Sequence, residues 1–111
     1  VINLWASWCT PCVREMPALR EAQQRYPQVR FLWVNQQEKP EVALKAARGF
    51  GLPDAQVLLD TKNAMSEVAG SRALPTTLFY DAQGQLQGLR VGELSAASLD
   101  EFMQKIVPAR D

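Results

Sequence analysis

The 111-residue sequence has no histidine, only two cysteines, no net charge and no long apolar run. Each shortage closes a class of function. Twelve basic residues balance twelve acidic ones, so no long-range field gathers nucleic acid or an anionic membrane surface. No apolar stretch is longer than FLWV (31–34), far short of the roughly 20 residues a membrane-spanning helix needs. A structural zinc wants about four Cys or His ligands. This chain offers two, so zinc would need a site shared between subunits, or a cluster.

Apolar residues at 47% and charged residues at 22% are ordinary globular usage. The length predicts one domain over 1–111, burying roughly two-thirds of the surface its unfolded form exposes. No repeat, linker or low-complexity segment interrupts it. Val1 is not an initiator methionine, and the chain opens directly in a strand-like run. The expectation is a processed or truncated piece of a longer protein, with any signal peptide, anchor or N-terminal strand outside it.

Strands and helices alternate. Val1 to Ala6 reads as a buried strand. From about Cys9 to Arg25, Val13, Met16, Leu19, Ala22 and Tyr26 recur at the helical period, with a kink expected at Pro17. VRFLWVN (29–35) is a second buried strand. Pro40 to about Phe50 suits a helix that Gly49 and Gly51 stop. QVLLD (56–60) is a short strand, followed by a short helix over 64–69. Thr76 to Tyr80 is a strand, DAQG (81–84) a turn with Gly84 at positive φ, and Gln85 to Val91 the hairpin partner. A last helix is predicted to start at Ser98, with Glu101 completing a capping box; Leu99, Phe102, Met103, Ile106 and Val107 form its apolar stripe. Trp5, Trp33, Met16 and Met103 read as core, and Lys39, Glu41, Lys45 and Arg48 as a solvated helix face. Early parallel crossovers and a late hairpin imply an α/β fold with a central mixed sheet and helices on both faces.

The chemistry lies in W-C-T-P-C, Trp8 to Cys12, between the first strand and the first helix. A cysteine at a helix N-terminus meets unpaired N–H groups and the positive end of the dipole, which favour thiolate over thiol. Cys9 has that place. Cys12 sits one turn further on the same face, within disulfide reach. Cys9 would attack a substrate disulfide and Cys12 would resolve the mixed disulfide. Pro11 pre-sets the first-turn backbone, Thr10 is the tuning position, and Trp8 would wall one side. A purely structural disulfide is the bland alternative, but so short a loop constrains the unfolded chain little.

LWASWCTPCVREMPAL and, later, ALPTTLFYDAQGQLQG resemble the TlpA-like branch of thioredoxin-fold proteins. The pattern is W-C-x-x-C with Glu15 and Pro17 close behind, and L-P-T-T before a strand. The resemblance implies a thioredoxin-like fold and bacterial extracytoplasmic disulfide reduction, including in cytochrome c maturation. It makes Cys9 the nucleophile, Cys12 the resolving thiol and Pro75 the family's cis-proline; the residues alone fit a trans proline at a strand entrance equally well. A cis bond would turn the Leu74 backbone toward Cys9 to pair with an extended substrate. Trp8, Thr10, Pro11, Leu74, Pro75 and Thr76 are thus the expected substrate-binding set.

Asn3 stands where many thioredoxins carry a buried aspartate, and it cannot titrate. In the extracytoplasmic reductases this chain resembles, a glutamate lies just after the second strand, and VNQQE puts Glu38 at the matching spacing, so the resemblance makes it the tentative acid/base: burial near Cys12 would raise its pKa. The competing reading is a solvated loop glutamate.

Exchange of this kind needs no cofactor or metal. It calls for a protein thiol or disulfide substrate and a membrane or soluble thiol-transfer electron donor. Membrane association would come only through an anchor outside this chain. The pair itself does not report compartment; the resemblance points to the periplasm or the outer face of the membrane. The alternative is a copper-binding or delivery module using the same two thiols, with a thiol peroxidase as a third option. Electron flow stays open, because potentials on this fold span about −270 to −120 mV.

Overall fold

The computed structural model describes residues 1–107. Along them run β1 (Ile2–Trp5), α1 (Thr10–Arg25), β2 (Leu32–Gln36), α2 (Pro40–Gly49), a 3-10 turn (Asp54–Gln56), β3 (Val57–Asp60), α3 (Met65–Ala69), β4 (Thr76–Tyr80), β5 (Leu86–Val91) and α4 (Ala96–Ile106). The strands form one five-stranded sheet in the order β3-β2-β1-β4-β5. β1 pairs parallel with β2, and β2 with β3; β4 runs antiparallel to both β1 and β5. This is the mixed sheet that the element order implied. Among the described residues no helix is long and apolar enough to cross a membrane.

The pleat sorts side chains by parity. Trp5, Trp33 and Phe79 join residues of α1, α2 and α4 in the larger apolar cluster. Leu4, Val34 and Leu78 face the other way, onto Ala69 of α3. Helices therefore cover both faces. Trp5 packs edge-on against Phe50 with ring centroids 5.9 Å apart.

α1 runs unbroken through Pro17, and its buried face is Cys12, Glu15, Met16, Leu19 and Ala22. The predicted stripe had Val13 where the structure has Cys12 and Glu15. Hydrophobic periodicity misplaced it because it scores a glutamate as solvent-facing. The last helix starts earlier than its sequence signature implied. Ser95, not Ser98, is the N-cap, and the box closes on Ser98 rather than Glu101. Ser98 N donates to Ser95 Oγ at 3.1 Å and Ser95 N to Ser98 Oγ at 2.9 Å. A hydroxyl at the third position does the work usually assigned to Glu. Leu94, just before this cap, is consequently buried, which matters for the site below.

Gly88 shows where a glycine is required. Phe79 and Phe102 stack with centroids 4.7 Å apart, and a Cβ on Gly88 would lie 2.6 Å from Phe102 Cδ1. Gly88→Ala should lower stability by about 1–3 kcal/mol through overpacking. Urea unfolding measures it, and an unchanged midpoint would show that the Phe102 ring yields freely.

Candidate active site

β1 ends at Trp5, and four residues later Cys9 caps α1 in an extended conformation (φ −87°, ψ 102°). Its Sγ accepts a hydrogen bond from Cys12 N at 3.3 Å. A sulfur therefore sits where an N-cap oxygen usually does, against the orphan N–H groups of the first turn. Cys9 and Cys12 are joined as a disulfide with Cα atoms 5.2 Å apart. Cys9 is 4% exposed and Cys12 0%, whereas Trp8 beside them is 71% exposed. Pro11 lies in the first turn of α1, and Thr10 is exposed.

β4 brings the second part of the site. Leu4 pairs with Thr76 in antiparallel register, so Pro75 lies beside the C-terminal end of β1, where the chain leaves for Cys9. The Leu74–Pro75 bond is cis. Pro75 O accepts from Gly92 N at 2.8 Å. Thr76 is buried and its hydroxyl donates to Ala73 O at 2.6 Å. Its side chain has no face left for a substrate, contrary to its place in the predicted binding set. Trp8, Thr10, Pro11 and Leu74 keep surface to offer.

Glu38 does not have the raised pKa expected of it. Glu38 is half-buried. Its Oε1 accepts from Ser7 N at 2.6 Å and Asn35 Nδ2 at 2.7 Å, and its Oε2 accepts from the Ser7 hydroxyl. Burial pushes its pKa up, but the Ser7 and Asn35 hydrogen bonds outweigh it, so the carboxyl titrates below its ordinary range. The expectation of a raised value fails because it counted burial and not donors. Glu38 is an anionic clamp on the loop before Trp8 and Cys9.

Glu15 is the carboxyl whose pKa is raised. It is 1% exposed on α1, three residues past Cys12, a spacing that puts the two Cβ atoms about 5–6 Å apart on one helix face. Its Oε1 accepts from Asn3 Nδ2 at 2.8 Å and its Oε2 from Leu94 N at 2.9 Å. Burial raises its pKa to about 7; the Leu94 and Asn3 hydrogen bonds and the Arg90 charge pull down, and Glu93 pushes up. The signal was present in the sequence: a glutamate spaced i+3 from a buried cysteine, flanked along the helix by Met16 and Leu19.

The sequence profile described as redoxin matches residues 1–103. The chain belongs to the redoxin family. The thiol-disulfide oxidoreductase ResA of Geobacillus thermodenitrificans is 30% identical over 109 residues, which is 96% of this chain and 62% of that protein. The thioredoxin-like protein YneN of Bacillus subtilis is 28% identical over 107 residues, 91% of this chain and 61% of its own length. This redoxin thus spans about three-fifths of those relatives. Among solved structures, MTB dsbF superposes with a TM-score of 0.86 at 21% identity, covering 96% of this chain and 78% of that one. A putative thiol:disulfide interchange protein DsbE from Chlorobium tepidum gives 0.75 at 26% identity, covering 93% and 75%. The fold is thioredoxin-like.

Two carboxylates with opposite shifts give separable predictions. Glu15 binds its proton more tightly folded than unfolded, so its contribution to stability is full below about pH 4.5 and is lost as pH rises through about 7. The stability difference between the native redoxin and Glu15→Gln should change by about 3 kcal/mol across that interval. Urea titrations at each end measure it, and a flat difference would contradict the buried acid. Glu38 has the reverse sign: its clamp is intact above the ordinary carboxylate range and fails as pH falls through its depressed value. Glu38→Gln should cost about 1 kcal/mol without shifting the pH dependence of thiol reactivity near neutrality, measured by alkylation rate.

Proposed function

We propose that this chain catalyses thiol–disulfide exchange with protein substrates through Cys9 and Cys12, with Glu15 taking the proton from Cys12. The observation that carries this reading is the Cys9 sulfur capping α1, with the second sulfur and a buried carboxyl on the next turns of the same helix. Redoxin membership supports it, as does the name of the ResA relative, a thiol-disulfide oxidoreductase.

In the reducing direction the reduced Cys9 thiolate, favoured at the helix N-terminus, attacks one sulfur of a substrate disulfide. A Cys9–substrate disulfide forms, the substrate S–S bond breaks, and one substrate thiolate leaves. Cys12 passes its proton to the Glu15 carboxylate and attacks Cys9 Sγ. The Cys9–Cys12 bond forms, the mixed disulfide breaks, and the second substrate thiolate leaves and is protonated. Two electrons have moved from the pair to the substrate. The substrate chain lies extended against the Leu74–Pro75 backbone, with Trp8, Thr10 and Pro11 forming the rest of the contact surface. A membrane or soluble dithiol donor returns the two electrons. We place this reaction in the bacterial periplasm or on the outer face of the membrane, with apocytochrome c among the candidate clients. That placement rests on the TlpA-like motif pattern and the DsbE-like neighbour.

Cys12→Ser should stall the reaction as a covalent Cys9–substrate complex that accumulates in extracts of the source cells and dissolves with reductant. Absence of such a complex, together with stoichiometric copper(I) uptake and no disulfide turnover, would replace exchange with metal handling. Glu15→Gln should slow resolution at neutral pH by about 10²-fold or more, the usual size of a lost proton-transfer group, in single-turnover kinetics.

A further inference from the structure

The side-chain partner of Glu15 is a carboxamide, a group with a donating and an accepting end. Asn3 lies on β1, 1% exposed, and pairs across the sheet with Thr77 of β4. Its Nδ2 donates to Glu15 Oε1 at 2.8 Å and to Thr77 Oγ1 at 3.1 Å, so both amide hydrogens are committed. Its Oδ1 is buried and has no partner among the described residues. This arrangement gives an ionised Glu15 one donor at each oxygen and offers no acceptor to a protonated one.

A protonated Glu15 changes the requirement. Oε2 is occupied by the Leu94 N–H, a backbone donor fixed ahead of the α4 cap. The proton therefore goes to Oε1, where it meets the Asn3 amide hydrogen, donor against donor. A carboxamide resolves this conflict by rotating half a turn about its terminal bond, because one end donates and the other accepts. After rotation Oδ1 accepts from the Glu15 O–H. Thr77 has the same versatility, since its hydroxyl accepts in the first arrangement and donates to Oδ1 in the second. Lysine or arginine at position 3 would only donate, and an ionised aspartate would only accept.

We propose that Asn3 is a positioning residue for Glu15: its carboxamide turns over as Glu15 gains or loses its proton, with Thr77 following, so that either protonation state of the buried carboxyl is hydrogen-bonded. The proposal deepens the exchange mechanism above and rests on Glu15 being its proton acceptor. The charged groups that face the carboxyl are Glu93, in the segment between β5 and α4, and Arg90 of β5. Arg14 of α1 binds Glu93, with Nη2 and Oε1 2.7 Å apart. All of these lie outside the Asn3–Thr77 pair, so they shift the Glu15 midpoint without altering the donor–acceptor logic.

The test uses the isotope-labelled oxidised protein with no substrate present. The Glu15 carboxyl carbon and the Asn3 side-chain amide are followed by NMR from about pH 5 to about pH 9. The Asn3 amide signals should titrate with the Glu15 midpoint. In Asn3→Leu, which neither donates nor accepts, the Glu15 midpoint should rise by about one pH unit, from the loss of one hydrogen bond to a charged group. Asn3→Ser, whose hydroxyl can donate or accept, should recover part of that rise. Thr77→Val should shift the midpoint less than Asn3→Leu. Asn3 signals that stay flat while Glu15 titrates overturn the proposal and leave the exchange mechanism standing. A Glu15 that does not titrate in this range overturns both. The native-protein titration decides the matter even if Asn3→Leu does not fold.

Discussion

The carboxyl of Glu15 is the point on which separate parts of the chain depend. One oxygen is bound by a side chain of β1 and the other by the backbone just before α4, while the residue itself belongs to α1. A group taken almost entirely out of water needs its hydrogen bonds, because a buried orphan costs more than a made bond gains. The central strand, the cysteine helix and the last helix are thus held in mutual position by one side chain. The same side chain sits one turn behind Cys12. Structural necessity and the proposed proton transfer fall on the same atoms, so substitutions at Glu15 act on both together.

The sheet order explains why the two cysteines meet a second loop at all. β1 is central, with a parallel neighbour on one side and antiparallel β4 on the other. Antiparallel pairing brings the start of β4 to the end of β1. Pro75 and Leu74 reach the Cys9 end of the sheet although more than sixty residues separate them in sequence. Glu38 arrives from the third direction, off the end of β2, and holds Ser7. Three strand ends converge there, and the loops they carry make up the site, as is usual where function is placed on a rigid scaffold.

Much of this was legible in the residues. β4 matches its predicted bounds because a β-branched and aromatic run lies between a proline and an Asp-Gly turn. The cysteine pair announces its position through Pro11 and the apolar period behind it. What escaped was carried by polar atoms finding partners far along the chain. Glu38 is thirty-one residues from Ser7, so nothing local shows that its carboxyl will be surrounded by donors. Leu94 reaches Glu15 over seventy-nine residues, and only because α4 begins at Ser95. Two adjacent alanines carry no periodic signal, and two serines three apart offer two equally good caps. A pattern of apolar spacing marks which face of α1 turns inward but is blind to a glutamate on that face.

The burial of Cys12 beside a nearly buried Cys9 has a kinetic consequence for any client held covalently. With its Cα 5.2 Å from that of Cys9, Cys12 would make the proposed resolving attack from within the same helix turn, and well-oriented intramolecular reactions have effective molarities of about 10⁵ M or more. No thiol dissolved in the surrounding compartment approaches that concentration. In the proposed exchange the lifetime of the covalent complex is therefore set by the protein's own helix and not by the redox buffer around it, and a client is let go on the protein's own clock.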